Sequence, residues 1–248
     1  MTLSLRLLIP VAALMMTGSC TTYKKIPYMQ DAASFAKQKI PQTYQIKIEK
    51  DDVLSIAVSS RDTILSQPFN RAPGGQGYLV NTRGSIDFPV FGEIQVAGQT
   101  PVALADALRS RIIREGYIMD PAVSVKLVNF KISVMGEVNK PGIFPVPTER
   151  ITVLEALSLA GDMSVYGRRD KVLILHEEAG QREMHYLDID STSLFNSPYY
   201  YLRQNDLVYV EPNKARAEQS EYSQRLPLIV SAASVLVSVA TLIILIAK

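Results

Sequence analysis

The feature that most constrains this chain lies at its C-terminal end. Leu226 to Ala247 is a run of 22 residues without a charge, bounded by Arg225 and Lys248. As a helix rising ~1.5 Å per residue it extends about 33 Å, enough for the hydrocarbon core of a bilayer. A single transmembrane helix is therefore expected over residues 226–247. Inside it Ser231, Ser234, Ser238 and Thr241 are spaced three, four and three. At ~100° per residue these four hydroxyls fall within an arc of roughly 80°. Two readings of that stripe stay open. Small residues let membrane helices approach closely and share hydrogen bonds, which makes the stripe a packing seam. Alternatively the hydroxyls face water in a pore built from several copies of the helix. Both imply self-association. Leu245 continues the same face, so the stripe stops short of the C-terminus.

The other end is apolar too, but shorter. Met1 to Arg6 carries one positive charge and is followed by the apolar stretch Leu7 to Met16, too short to span a bilayer. Thr17-Gly18-Ser19 then leads into Cys20, the only cysteine. This resembles a bacterial lipoprotein signal, with residues 1–19 removed and Cys20 acylated. The other reading is an ordinary secretory signal with an incidental cysteine. An acylated Cys20 supplies membrane attachment, at ~0.8 kcal/mol per buried methylene, and leaves no exposed thiol. Residues 20–42 then read as a flexible, lipid-anchored tether.

Composition narrows the function classes. One cysteine excludes an intramolecular disulfide and a cysteine-based zinc cage, and His176 and His185 are too few for a histidine-rich metal centre. Balancing 26 Lys+Arg against 24 Asp+Glu leaves a net charge of +2, which argues against a nucleic-acid partner. No cofactor is expected.

Residues 43–213 read as a strand-rich α+β region. Tyr44 to Ile48 alternates, Glu49 to Asp52 turns, and Val53 to Val58 has strand character. Arg61 to Gly77 reads as a long loop. Short strands follow at Gly77–Val80, Ile86–Phe88 and Glu93–Val96. Thr100 with Pro101 predicts a helix start, with Val102, Leu104, Ala105, Leu108, Ile112 and Ile113 on its apolar face. The second half repeats the grammar. Strands are expected at Ala122–Leu127, Lys131–Met135, Lys171–His176, Met184–Leu187 and Leu207–Val210, with a helix headed by Thr152 and stopped by Gly161. Leu202-Arg203-Gln204-Asn205-Asp206 echoes Ile48-Glu49-Lys50-Asp51-Asp52, which suggests two related modules.

These residues resemble the outer-membrane polysaccharide export proteins (Wza-like). Tyr44-x-Ile46, Asp52-Val53-Leu54-Ser55-Ile56 and Gly84-x-Ile86-x-Phe88-Pro89 through Thr100 look like their export domain. Val134-Met135-Gly136-Glu137-Val138 with Pro141-Gly142, then Thr152 to Leu157 and Asn205 to Val210, look like a soluble-ligand-binding β-grasp (SLBB) domain. The resemblance implies an export domain over 43–128, one β-grasp domain over 129–213, a linker at 214–225 and the membrane helix. It also implies a homo-oligomeric ring, an octamer, that passes capsular or exopolysaccharide through a pore lined by Ser231, Ser234, Ser238 and Thr241. An inner-membrane polysaccharide co-polymerase (chain-length regulator) is the implied partner, membrane lipid holds Cys20, and no catalysis is implied. Longer members carry two β-grasp domains, so this ring should be shorter. The terminal helix is also more apolar than the family's amphipathic one. That keeps a second reading open, a non-conducting scaffold with its helix in the inner membrane.

Several residues invite chemistry and have plainer readings. Asp51-Asp52 and Glu177-Glu178 read as solvated turn acids rather than a glycosidase pair. His176 and His185 read as packing or surface residues, Arg168 to Lys171 as an exposed turn, and Tyr199-Tyr200-Tyr201 as strand-start packing rather than a sugar platform.

Overall fold

The computed structural model describes residues 27–37, 45–70, 77–178 and 180–219, together with positions 231, 232, 234, 235, 238 and 239. The signal read over 1–19, Cys20, Thr241 and most of the span read over 226–247 lie outside the described residues.

The first half is built on β1 (Val53–Ser59), whose alternation puts Leu54, Ile56 and Val58 inward and Ser55, Ala57 and Ser59 outward. β1 is the middle of a three-stranded antiparallel sheet, flanked by β2 (Tyr78–Leu79) and β5 (Ala122–Leu127), with Ile56 opposite Val125. Strands β3 (Ser85–Phe88) and β4 (Gly92–Gln95) make a separate hairpin. Helix α2 (Pro101–Arg114) starts where expected: the Thr100 side chain accepts from Ala103 N at 3.1 Å, and Leu104, Leu108 and Ile112 are buried at helical spacing.

The stretch read as a loop over 61–77 is partly ordered. Helix α1 (Thr63–Ser66) runs into a 3-10 turn, Gln67–Asn70. Phe69 drops into the core beside Phe88, with ring centroids 6.4 Å apart. The Asn70 amide clips this plug to β1, accepting from Val58 N at 2.9 Å and donating to Val58 O at 2.7 Å. The alternation at Tyr44–Ile48 also misleads, because residues 45–49 form no strand; Ile48 instead bonds the backbone of Gly98 and Gln99.

The second half is one mixed sheet around a helix. Its order is β10 (Gln181–Leu187), β9 (Gly167–Glu178), β12 (Leu207–Pro212), β6 (Lys131–Gly136), β7 (Gly142–Pro145). All neighbours are antiparallel except β12 and β6. A parallel pair requires a crossover connection, and the chain between them supplies α3 (Val153–Leu159), preceded by β8 (Ile151–Thr152) and followed later by β11 (Tyr201–Leu202), which pairs with β8. α3 has a complete capping box between Thr152 and Glu155. Its Val153, Ala156 and Leu157 join Ile132, Val134, Val172, Ile174, Val208 and Val210 in the second core. Gly136, at φ 93°, sits where a Cβ would come within 2.1 Å of Val210 O, so the β6–β12 approach demands glycine.

Three further readings change against this fold. The segment read as a flexible tether is docked over 27–37, as described below. The segment read as a linker, 214–225, is helical over 214–219. Arg168 to Lys171 lies in β9 rather than an exposed turn, and Arg169 is buried. Among the described residues no helix is long and apolar enough to cross a membrane.

Candidate functional site

The seam residues come first. Ser231, Ala232, Ser234, Val235, Ser238 and Val239 are helical and exposed. Ser234 Oγ donates to Ser231 O at 2.8 Å and Ser238 Oγ to Ser234 O at 2.9 Å. Each hydroxyl proton is thus committed to a carbonyl three or four residues back. Such a hydroxyl carries no unmet donor into an apolar surrounding, while its oxygen can still accept from water or another helix.

The described segments 27–37 and 213–219 both dock on the second half. Met29 N donates to Ile189 O at 3.0 Å and Gln30 N to Asp190 O at 2.6 Å, so the segment adds itself to the stretch after β10. The Asp31 carboxylate then accepts from Thr192 N (2.7 Å), Thr192 Oγ1 (2.8 Å) and Ser191 Oγ (3.2 Å). Those donors, the Thr192 backbone foremost, hold the Asp31 carboxyl below its ordinary range. At the start of the strap Tyr28 OH donates to Asp162, and burial together with that carboxylate pushes the phenol well up. The buried Arg169 guanidinium lies 5.4 Å from the Tyr28 ring and donates to Gly167 O (3.1 Å) and Ser164 O (3.4 Å).

The exit from β12 uses the same loop. Asn213 N donates to Tyr166 O at 2.7 Å and Asn213 Nδ2 to Val165 O at 3.3 Å. Asn213 Oδ1 accepts from Arg216 N at 3.1 Å, capping the turn over 214–219. Arg216 Nε reaches Glu137 Oε1 at 3.1 Å, with its guanidinium 5.4 Å from the Tyr166 ring. Residues 161–167 therefore hold the chain both before and after the second sheet. A hollow of about 330 Å³ lies between Tyr28 and Met29 on one side and Leu154, Leu157, Ser158, Gly161 and Asp162 on the other.

The echoed turns are a real pair. In the first, Asp51 has φ 67° and Asp52 accepts from Glu49 N at 2.7 Å; in the second, Asn205 has φ 63° and Asp206 accepts from Arg203 N at 2.8 Å. Both aspartates are buried. Their second oxygens differ. Asp206 Oδ1 is 2.6 Å from His176 Nδ1, while Arg203 NH1 lies 2.7 Å from His176 Nε2. A guanidinium can only donate, so Nε2 accepts and Nδ1–H donates to Asp206. Asp52 Oδ1 has no partner among the described residues, and burial, opposed by the Glu49 N–H and reinforced by Asp51, raises its carboxyl to about 6.

Asp51 and Asp52, read as solvated turn acids, are not set up as an acid–base pair. Asp51 is exposed while Asp52 is buried, and Glu177 is paired with Arg182 at 2.5 Å. No group of three metal-ligating side chains occurs among the described residues. Tyr199 stacks on His185 with centroids 3.6 Å apart, and Tyr200 packs edge-on to Phe195 and Tyr201, which agrees with packing. The strap, the pin at Arg169 and the Asn213 exit were missed from sequence. The strap and the exit bond polar groups far away along the chain, and Arg169 turns inward to two nearby carbonyls, so no periodicity marks any of them.

Residues 40–128 match the family described as polysaccharide biosynthesis/export protein. The chain is 32% identical over 155 residues to the EPS I polysaccharide export outer membrane protein EpsA of Ralstonia solanacearum, covering 59% of this chain and 39% of that protein. The EpsA protein of Ralstonia nicotianae is 36% identical over 99 residues, 39% of this chain and 26% of that one. The exopolysaccharide production protein ExoF of Rhizobium meliloti is 30% identical over 88 residues, 35% of this chain and 21% of that one. The chain thus spans about two fifths or less of the length of the relatives it matches.

Proposed function

We propose, from the match of residues 40–128 to the polysaccharide export family, that the chain is a lipid-anchored, ring-forming outer-membrane channel for a capsular or exopolysaccharide. The single observation that carries the reading is the match of 40–128, on a folded unit with its own core, to the export family. Its role is transport rather than catalysis. The mixed sheet clasping α3 supports reading 129–213 as the SLBB β-grasp domain. Cys20 carries the acyl anchor, and residues 226–247 supply the membrane helix, whose copies gather with Ser231, Ser234, Ser238 and Thr241 toward one axis. The partners are further copies of the chain, eight by resemblance, an inner-membrane co-polymerase, membrane lipid and the polymer as cargo.

A second reading has one observation in its favour. Ser234 and Ser238 commit their protons inside their own helix, which suits a packed seam in a non-conducting scaffold of the secretion complex, with its helix in the inner membrane. Deleting the gene abolishes extracellular polymer under both readings. Conductance of the purified protein in planar bilayers separates them: ion flow that falls on Ser234→Leu with Ser238→Leu supports the channel. A silent bilayer from protein that restores export supports the scaffold. Normal polymer secretion without the gene overturns the export role altogether.

A further inference from the structure

We infer that the outer face of the second sheet, the side turned away from α3, is the surface on which the next copy of the chain docks. The inference deepens the proposed function and rests on its reading of the chain as ring-forming. Strand alternation sends Val134, Ile174 and Val208 into the core beneath α3, so their neighbours along each strand point the other way. Those neighbours are not the polar residues that a solvated sheet face carries. Met184 and Tyr186 on β10, Leu207 and Tyr209 on β12, Met135 on β6 and Ile143 on β7 all lie on this side. The register through β9 sets Met184 and Leu207 in one row and Tyr186 and Tyr209 in the next, with Met135 opposite Tyr209. Ile143 is 67%, Met184 63%, Tyr186 51% and Met135 46% exposed. The first sheet is the contrast, because the outward residues of β1 are Ser55, Ala57 and Ser59.

The rim and the size of the face select the occupant. Arg182 pairs with Glu177 at 2.5 Å on one margin, and Arg168 with Asp170 at 2.7 Å and Glu211 at 3.2 Å on the other. Lys171 Nζ lies 4.2 Å from the centre of the Tyr186 ring. A rim balanced within the copy neither draws in an anionic polymer nor repels its own likeness. An apolar centre inside a charged rim is the anatomy of a protein contact, and Met, Leu and Ile side chains offer a sugar chain no hydrogen bonds. Five strands about 4.8 Å apart, rising ~3.3 Å per residue over about five residues, present roughly 300 Å². That is well short of the ~800 Å² per partner that a free-standing pair of proteins buries. The face is therefore too small to hold a separate protein by itself. It suits a ring, where each copy is gripped on two sides and the face meets a different surface of its neighbour.

The test uses the full-length protein in cells, with the photocrosslinker p-benzoylphenylalanine placed in turn at Ile143 and Met184. Irradiation should give a ladder of masses at two, three and more times that of the chain. A ladder that stops at two would mean that the face meets its own equivalent, and would overturn the inference. So would crosslinks to polymer or to another protein, or no crosslink from a wild-type particle of multi-copy mass; each of these leaves the ring reading standing. M135E sets a carboxylate in the face and should lower the multi-copy fraction of the detergent-extracted protein roughly tenfold, since the charge would be buried unpaired. M184E, on the edge strand of the same face, gives the same readout should M135E fail to fold. Assembly at the wild-type level by a folded variant would overturn the inference. Wild-type protein of monomer mass would remove the ring reading itself and the inference with it.

Discussion

The two echoed turns use one backbone device and resolve a buried carboxylate differently. In each, a residue with positive φ lets the chain reverse, and an aspartate captures the N–H three residues back before a strand begins. They also face each other. Asn129, between the two halves, accepts from Val53 N at 2.9 Å and donates to Asp51 O at 3.0 Å, while its own carbonyl accepts from Gln204 Nε2 at 3.0 Å. Gln204 Oε1 in turn accepts from Lys131 N at 2.9 Å. Around this shared junction the second turn has a complete network through His176 and Arg203, whereas the first leaves Asp52 Oδ1 bare. The lesson is that a buried charge is tolerated in one fold either by satisfying it or by letting its protonation shift.

The sharpest way to break that comparison is to make the same substitution at both turns. Asp206→Asn puts an amide N–H₂ against either His176 Nδ1–H or Arg203 N–H, and should cost about 2–3 kcal/mol. Urea unfolding of the detergent-solubilised chain, followed by tyrosine fluorescence since there is no tryptophan, measures it. Asp52→Asn keeps an acceptor for Glu49 N and removes the uncompensated charge. It should raise stability at pH 7.5 by on the order of 1–2 kcal/mol. Two changes of the same sign would show that the turns are not handled differently.

Titration sharpens the contrast further. Asp52 is raised from 3.8 to about 6 in the folded chain, so the fold favours its protonated form. The stability it contributes is fully present below pH 3.8 and is lost as pH rises through about 6. Burial raises Asp206 as well, opposed by the Arg203 N–H and by His176. Comparing unfolding midpoints of wild type and Asp52→Asn from pH 4 to 7.5 should show a steeper decline in wild type than in the variant, which keeps the part due to Asp206. Parallel curves would contradict the assignment.

Smaller effects follow from the backbone. Asn205→Val places a β-branched residue at φ 63° and should cost about 1 kcal/mol, whereas Asn205→Gly should change stability by about 0.5 kcal/mol or less. The smallest expected signal is at the strap. Asp31→Ala removes the acceptor for Thr192 and Ser191 and should speed trypsin cleavage at Lys37 several-fold with the rest of the chain intact.

What was legible in the sequence was local. Thr100 and Thr152 announce their helices because a hydroxyl before an apolar period has one main use. The turn echo was visible because its function depends on four consecutive residues. The plug over 63–70 was hidden, since Phe69 and Asn70 act through single contacts with Phe88 and Val58 rather than a repeat. Arg169 was misread because charge predicts exposure unless carbonyls and an aromatic face surround it, as Gly167, Ser164 and Tyr28 do. His176 and Asp206 stand 30 residues apart and meet only across β9 and β12. The docking of 27–37 rests on Asp31 meeting Thr192, 161 residues away, which no spacing rule reaches.

The central claim, as proposed above, is that copies of this chain assemble into a conduit for polysaccharide. Electron-microscope images of the detergent-extracted particle test it most directly. The account predicts a ring of several copies with a central opening. A monomeric particle without an opening would contradict it.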